Sequence, residues 1–158
     1  MASLAIPAAT LATAPSTSPT VTSPISFAAG TLCDDAILFE NLSLNSRDSL
    51  FAPGPDGAQR LLQRGFGASR VTDQDSGNAL EFKGGYAISI MFSADGTVRV
   101  DAAGTDILAW YFAGDDSDLG AGIFHVSGHV TEWYASDGSF VRAAFNGTST
   151  NVCDVLAD

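Results

Sequence analysis

His125 and His129 stand four residues apart, with Glu132 three further on, inside "FHVSGHVTE". Two imidazoles and a carboxylate are the ligand set of a non-haem iron site, provided they converge on one point. On a regular strand, positions four apart face the same side but lie roughly 13 Å from each other, so only a kink at Gly128 would close the gap. Without that kink the pair reads as ordinary half-exposed strand histidines, and no metal is expected. Glu132 suggests a second chemistry. It alternates with Val130 and Tyr134, so an inward-pointing face would set its carboxylate among aromatic and aliphatic side chains, a setting suited to proton transfer. Glu132 and the Tyr134 hydroxyl are therefore the candidate catalytic groups, with Arg142 on the following strand as counter-ion. The plainer alternative is a surface cross-strand pair of Glu132 with Arg142 that serves no function.

Other familiar chemistries fail on spacing. "DDSDLG" from Asp115 puts Ser117 and Leu119 where a calcium loop needs its next oxygen ligands, and Val126 where it needs a bidentate Glu. "DQDSGN" fails likewise, and both read as Asx turns. No Gly-x-Ser-x-Gly elbow, phosphate loop or dinucleotide fingerprint occurs. No cofactor is expected, and any catalysis would rest on carboxylates and phenols in an apolar cavity.

Strands must position these groups. From residue 36 onward apolar residues recur with a period of two, and turn residues punctuate them. "AILFENLSL" reads as a strand, followed by a polar connection "NSRDSLFAPGPDGAQ". "RLLQRGFGASRVT" reads as a strand with a bulge near Gly65 or Gly67. "ALEFK" is expected to end at Gly84-Gly85. "YAISIMFSADGTVRVDAA" is a hairpin turned by Asp95-Gly96, with Tyr86, Ile88, Ile90 and Phe92 on one face. "DILAWYFA" is apolar on both faces, which calls for a sandwich interior or for a barrel wall covered by another chain, as in a homodimer. "GIFHVSG" and a last hairpin turned by Asp137-Gly138 complete the series. Gly85 to Gly104 and Gly128 to Gly147 echo one another as two similar hairpins. Eight or nine strands with short connections predict an all-β fold, a single antiparallel meander closing into a barrel of about eight strands, with a β-sandwich as the alternative.

Composition bounds the partners. Of 158 residues, 46% are hydrophobic and only 16% charged, and 18 acidic against 7 basic side chains give a net charge of −11. That surface repels phosphate backbones and anionic headgroups, so nucleic acid and membrane surfaces are not expected partners. No apolar run approaches the roughly 20 residues of a membrane span. Residues 1–30 carry no charge and are rich in Ala, Ser, Thr and Pro, which predicts a flexible leader or signal-peptide remnant ahead of one β domain over 31–158. The two cysteines, Cys33 and Cys153, sit near the two ends of that domain. A bond between them would close nearly all of it into one loop, stabilising by roughly 4 to 5 kcal/mol in the ideal limit, if two terminal strands lay side by side. Two separate buried thiols, or a catalytic or metal-binding thiol, are the alternatives.

The closing pattern, a "GHVTE" strand, a Ser-Asp-Gly turn, a second strand, Asn146-Gly147 and then "NVCDVLAD", resembles the C-terminal end of a group of small secreted actinobacterial proteins. An earlier Cys opens the domain in that group, as Cys33 does here. The resemblance covers roughly residues 33 to 156. It implies a secreted or envelope-exterior β domain and brings no catalytic residues with it. More loosely, the architecture is similar to small antiparallel barrels such as lipocalin-like carriers, allene oxide cyclase-like enzymes and cofactor-free polyketide cyclases.

These readings combine into an expectation of a barrel whose interior holds a hydrophobic small molecule. Its lining would be drawn from Tyr86, Ile88, Ile90, Phe92, Trp110, Phe124, Trp133, Tyr134 and Arg142. A cofactor-independent cyclase or isomerase using Glu132 or a Tyr hydroxyl is one alternative. A structural or cell-surface interaction module with a filled core is the other.

Overall fold

The structure is a computed structural model and describes residues 23–158, together with the backbone of residues 16–18. Its elements are β1 (Ser16–Ser18), β2 (Ile25–Phe27), β3 (Ile37–Leu50), β4 (Gln59–Asp73), β5 (Ala79–Phe92), β6 (Val98–Tyr111), β7 (Gly122–Tyr134), β8 (Phe140–Asn151) and α1 (Val152–Ala157). From β3 to β8 each strand pairs antiparallel with the next, so the fold is the predicted all-β meander. It forms a strongly curled half-barrel and is open. Among the described residues no pairing joins β8 back to β3, whose outer edge carries β1 opposite Ser46–Asp48 and β2 opposite Ile37–Phe39. Part of the expected leader thus runs along the sheet edge; residues 1–15 and 19–22, with its signal-like features, lie outside the described residues. The free edge of β8 is blunted by the loop after β6. There the Ala143 N–H donates to the Asp116 carbonyl at 2.8 Å, and the Phe145 N–H to the Asp118 carboxylate at 3.0 Å.

Three local expectations need correction. The strand expected to stop at Leu44 continues to Leu50, because Ser46 and Asp48 keep the alternation going with polar side chains: Ser46 meets the Tyr86 hydroxyl, and the Gln63 amide donates to Asp48 at 3.0 Å. The bulge lies on β3 between Asn41 and Ser43, not at Gly65 or Gly67. Gly65 is instead a close-approach position, where a Cβ would press on the Tyr86 ring 2.8 Å away. Gly84-Gly85 does not end β5, which runs through both residues.

The echo between the two hairpins has a structural meaning. Gly104 pairs with Gly128, and Gly128 with Gly147, so three strands bring glycine into register. Gly128 and Gly147 have φ of +149° and +143°, and a Cβ on either would overlap the other strand's backbone. The sheet folds at this crease. β6 pairs with β5 only from Val98 to Gly104 and then departs from it, past an irregularity between Gly104 and Ile107.

Beyond the crease, β6 and β7 bury both faces. Leu108, Trp110 and Ile123 pack into a cluster with Ile37, Phe39, Val71, Val152 and Leu156. The alternate residues Ala109, Tyr111, Phe124 and Val126 pack into a second cluster with Val130 and Ala143, from the folded-over half of the same strands. Each fully buried aliphatic side chain here contributes roughly 1.5 to 3 kcal/mol. The doubly apolar "DILAWYFA" strand is therefore covered by its own chain.

Cys33 and Cys153 form a disulfide across a sequence separation of 120, with Cα atoms 5.4 Å apart. They do not lie on paired terminal strands. Cys33 sits in the bend before β3, and Cys153 lies in α1, which Asn151 caps by accepting from the Cys153 N–H at 3.0 Å. Among the described residues no helix is long and apolar enough to cross a membrane.

Candidate functional site

The wedge left where β6 departs from β5 is a cavity of about 410 Å³ on the concave face of the sheet. That volume lies within the roughly 300 to 1,000 Å³ of small-molecule sites. Ile25, Phe39, Leu44, Ile88, Ile107, Leu108 and Trp110 give it apolar walls, and Asn41, Ser43, Gln63, Ser69, Tyr86 and Asp106 add polar groups. The strand register explains the lining. Phe39, Asn41, Ser69, Gly84, Tyr86 and Ile88 fall on one face through the pairings of β3, β4 and β5, and Ile88 faces Ala102 on β6. Tyr86 hydrogen-bonds Ser46 at the cavity wall; burial raises its phenol above the ordinary pKa, and the Ser46 bond partly opposes that shift.

Asp106 is the ionisable carboxyl in this lining, and the β6 irregularity places it there. The extra residue between Gly104 and Ile107 resets the alternation so that Asp106, Leu108 and Trp110 all reach the cavity. Gly84 opposite must lack a side chain, because a Cβ there would overlap the Cβ of Asp106. The Asp106 side chain is only 10% exposed, and its Oδ1 lies 2.8 Å from Nε2 of His125. Facing a carboxylate, which only accepts, the imidazole Nε2–H is the donor of that contact. The imidazole ring packs on Phe82 with centroids 4.8 Å apart.

Glu132 and Tyr134 lie elsewhere. The Tyr134 hydroxyl donates to Glu132 Oε2 at 2.8 Å, and the Tyr111 hydroxyl donates to Oε1 at 3.1 Å. Both phenols are pushed well above their ordinary pKa, first by burial and further by the Glu132 charge and hydrogen bonds. Tyr111 belongs to the second hydrophobic cluster, and neither Glu132 nor Tyr134 lines the cavity. Arg142 is not their counter-ion. The shift in register at Tyr134 pairs Arg142 with Trp133, and its guanidinium sits 4.0 Å from that ring's centroid. The three residues weighed as metal ligands also diverge: His125 bonds Asp106, His129 stands 3.9 Å from Asp101, and Glu132 joins two tyrosines.

Of the residues expected to line a ligand space, Tyr86, Ile88 and Trp110 line this cavity. Ile90, Phe92, Phe124, Trp133 and Arg142 do not. Phe92 is 39% exposed, and Phe124 is buried in the second cluster. The Asp106–His125 pair was missed, although one signal pointed to it: a lone Asp opening a strand that is otherwise apolar on both faces. No family model matches the chain, and no curated protein or solved structure proves significantly similar to it.

Proposed function

We propose that this chain binds an apolar small molecule in the cavity between β3, β4, β5 and the departing half of β6. The observation that carries the reading is the cavity itself, about 410 Å³ walled by aliphatic and aromatic side chains with a few polar groups among them. An apolar hollow of that extent left open on the concave face is costly to expose to water. A filled-core interaction module would have no reason to keep it. The reading needs no closed barrel, since the concave face of an open half-barrel already supplies the walls. Glu132 and Tyr134 take a structural part in it, each carboxylate oxygen satisfied by a phenol. The disulfide fits a protein that works outside the reducing cytosol, in keeping with a secreted carrier.

Native mass spectrometry of the purified chain, before and after incubation with adamantanol, tests the proposal. One bound molecule per chain, either co-purified or taken up, is the expected result. An empty chain that takes up none at millimolar probe would overturn it.

A further inference from the structure

We propose that Asp106, backed by His125, anchors the cationic end of an apolar amine held in the cavity. The inference rests on reading the cavity as a ligand site and adds the chemical class of the ligand. Among the described residues no Lys or Arg lines the space, and Asp106 is the carboxylate that does. A side chain with 10% exposure has little water to solvate its charge, so the group needs donors from elsewhere. His125 supplies one at Oδ1, while Oδ2 lies against Gly84 at the cavity wall. An ammonium group entering the cavity would supply further donors together with the opposite charge, forming a charge-assisted hydrogen bond shielded from water.

Two further features favour a cation over a neutral donor. Trp110 lines the same space, and an indole face attracts ammonium groups. The net charge of −11 draws cations toward the surface and repels anions. The anchor is also sterically prepared, because the strand irregularity aims Asp106 inward, Gly84 makes room for it and Phe82 holds the imidazole behind it.

Calorimetric titration of the full chain with adamantylamine, protonated at neutral pH, and with the isosteric adamantanol separates the alternatives. The amine is expected to bind at least about tenfold more tightly, the size of effect a hydrogen bond to a charged group confers. In Asp106→Asn that advantage should vanish, the amine-to-alcohol affinity ratio falling to about one, because the amide carries no charge to pair with the ammonium group. The amine-to-alcohol comparison uses the unaltered chain, so the test survives a variant that fails to fold. Equal affinities for the two probes would overturn the amine assignment and leave the ligand site standing. A preference that persists in Asp106→Asn would overturn Asp106 as the anchor. Binding of neither probe would overturn the ligand site as well.

Discussion

Asp106 and Glu132 are two carboxylates withdrawn from water on the same curled sheet, and they have opposite surroundings. Glu132 gives one oxygen to Tyr111 and the other to Tyr134, beside a packed cluster. Asp106 gives one oxygen to His125 and borders a cavity of about 410 Å³. The contrast originates in the backbone. Regular alternation on β7 carries Glu132 onto the face that folds over Tyr111, whereas the extra residue on β6 aims Asp106 into the wedge between diverging strands. On the proposed reading, a buried acid marks a binding site only when its strand leaves it facing space. Where the donors are complete, the same chemistry holds the fold together.

The crease between the two regions is where the contrast breaks most easily. Gly128→Ala forces a Cβ into the backbone of the neighbouring strand at a φ of +149°. We expect a loss of at least about 3 kcal/mol, measured by urea denaturation, because a backbone neighbour cannot yield as a flexible side chain would. The next largest effect sharpens the contrast. Glu132→Leu strands one buried phenol, Tyr111, and one half-buried phenol, Tyr134, and should cost about 2 to 4 kcal/mol. Asp106→Asn, whose amide oxygen still accepts from His125, should cost under about 1 kcal/mol in the same assay. A larger penalty for Asp106→Asn than for Glu132→Leu would reverse the assignment of structural and binding roles.

The smallest effect concerns the turns that close the two hairpins. Asp95 and Asp137 are held below the ordinary carboxylate pKa, chiefly by the hydroxyls of Thr97 and Ser139 and then by the backbone N–H groups of the same residues. A lowered folded-state pKa means that the stabilisation is complete above the unfolded-state value and disappears as pH falls through the folded-state value. The melting temperature should drop between neutral pH and about pH 3, and Asp95→Asn and Asp137→Asn should each narrow that drop slightly. The two turns adjoin, with Gly96 against Ser136, so similar narrowing in both variants would show that acid weakens both hairpins alike.

Much of this was legible in the sequence. Asp95-Gly96 and Asp137-Gly138 announced their turns because a tight hairpin needs positive φ, and Gly96 and Gly138 have φ of +87° and +83°. The common face of Tyr86, Ile88 and Ile90 followed from strand alternation, but alternation alone could not say how far the cavity extends along it. Ile90 and Phe92 lie beyond the cavity because the wedge opens only where β6 leaves β5. Asp106 was hidden because one inserted residue resets the alternation, and such an insertion leaves no compositional trace. The role of Glu132 was hidden as well, since Tyr111 reaches it through a fold at three glycines that sequence spacing does not reveal. The repeated Gly85–Gly104 and Gly128–Gly147 spacing was the visible trace of that crease, before pairing gave it meaning.

The two tryptophans of the chain allow the most direct test, because Trp110 lines the cavity while Trp133 stacks beneath Arg142 outside it. Titrating adamantanol into Trp133→Phe, where Trp110 alone reports, should give a saturable change in tryptophan emission. The same titration of Trp110→Phe should leave the Trp133 emission unchanged. A response from Trp133 with a silent Trp110 would contradict a ligand site in the wedge.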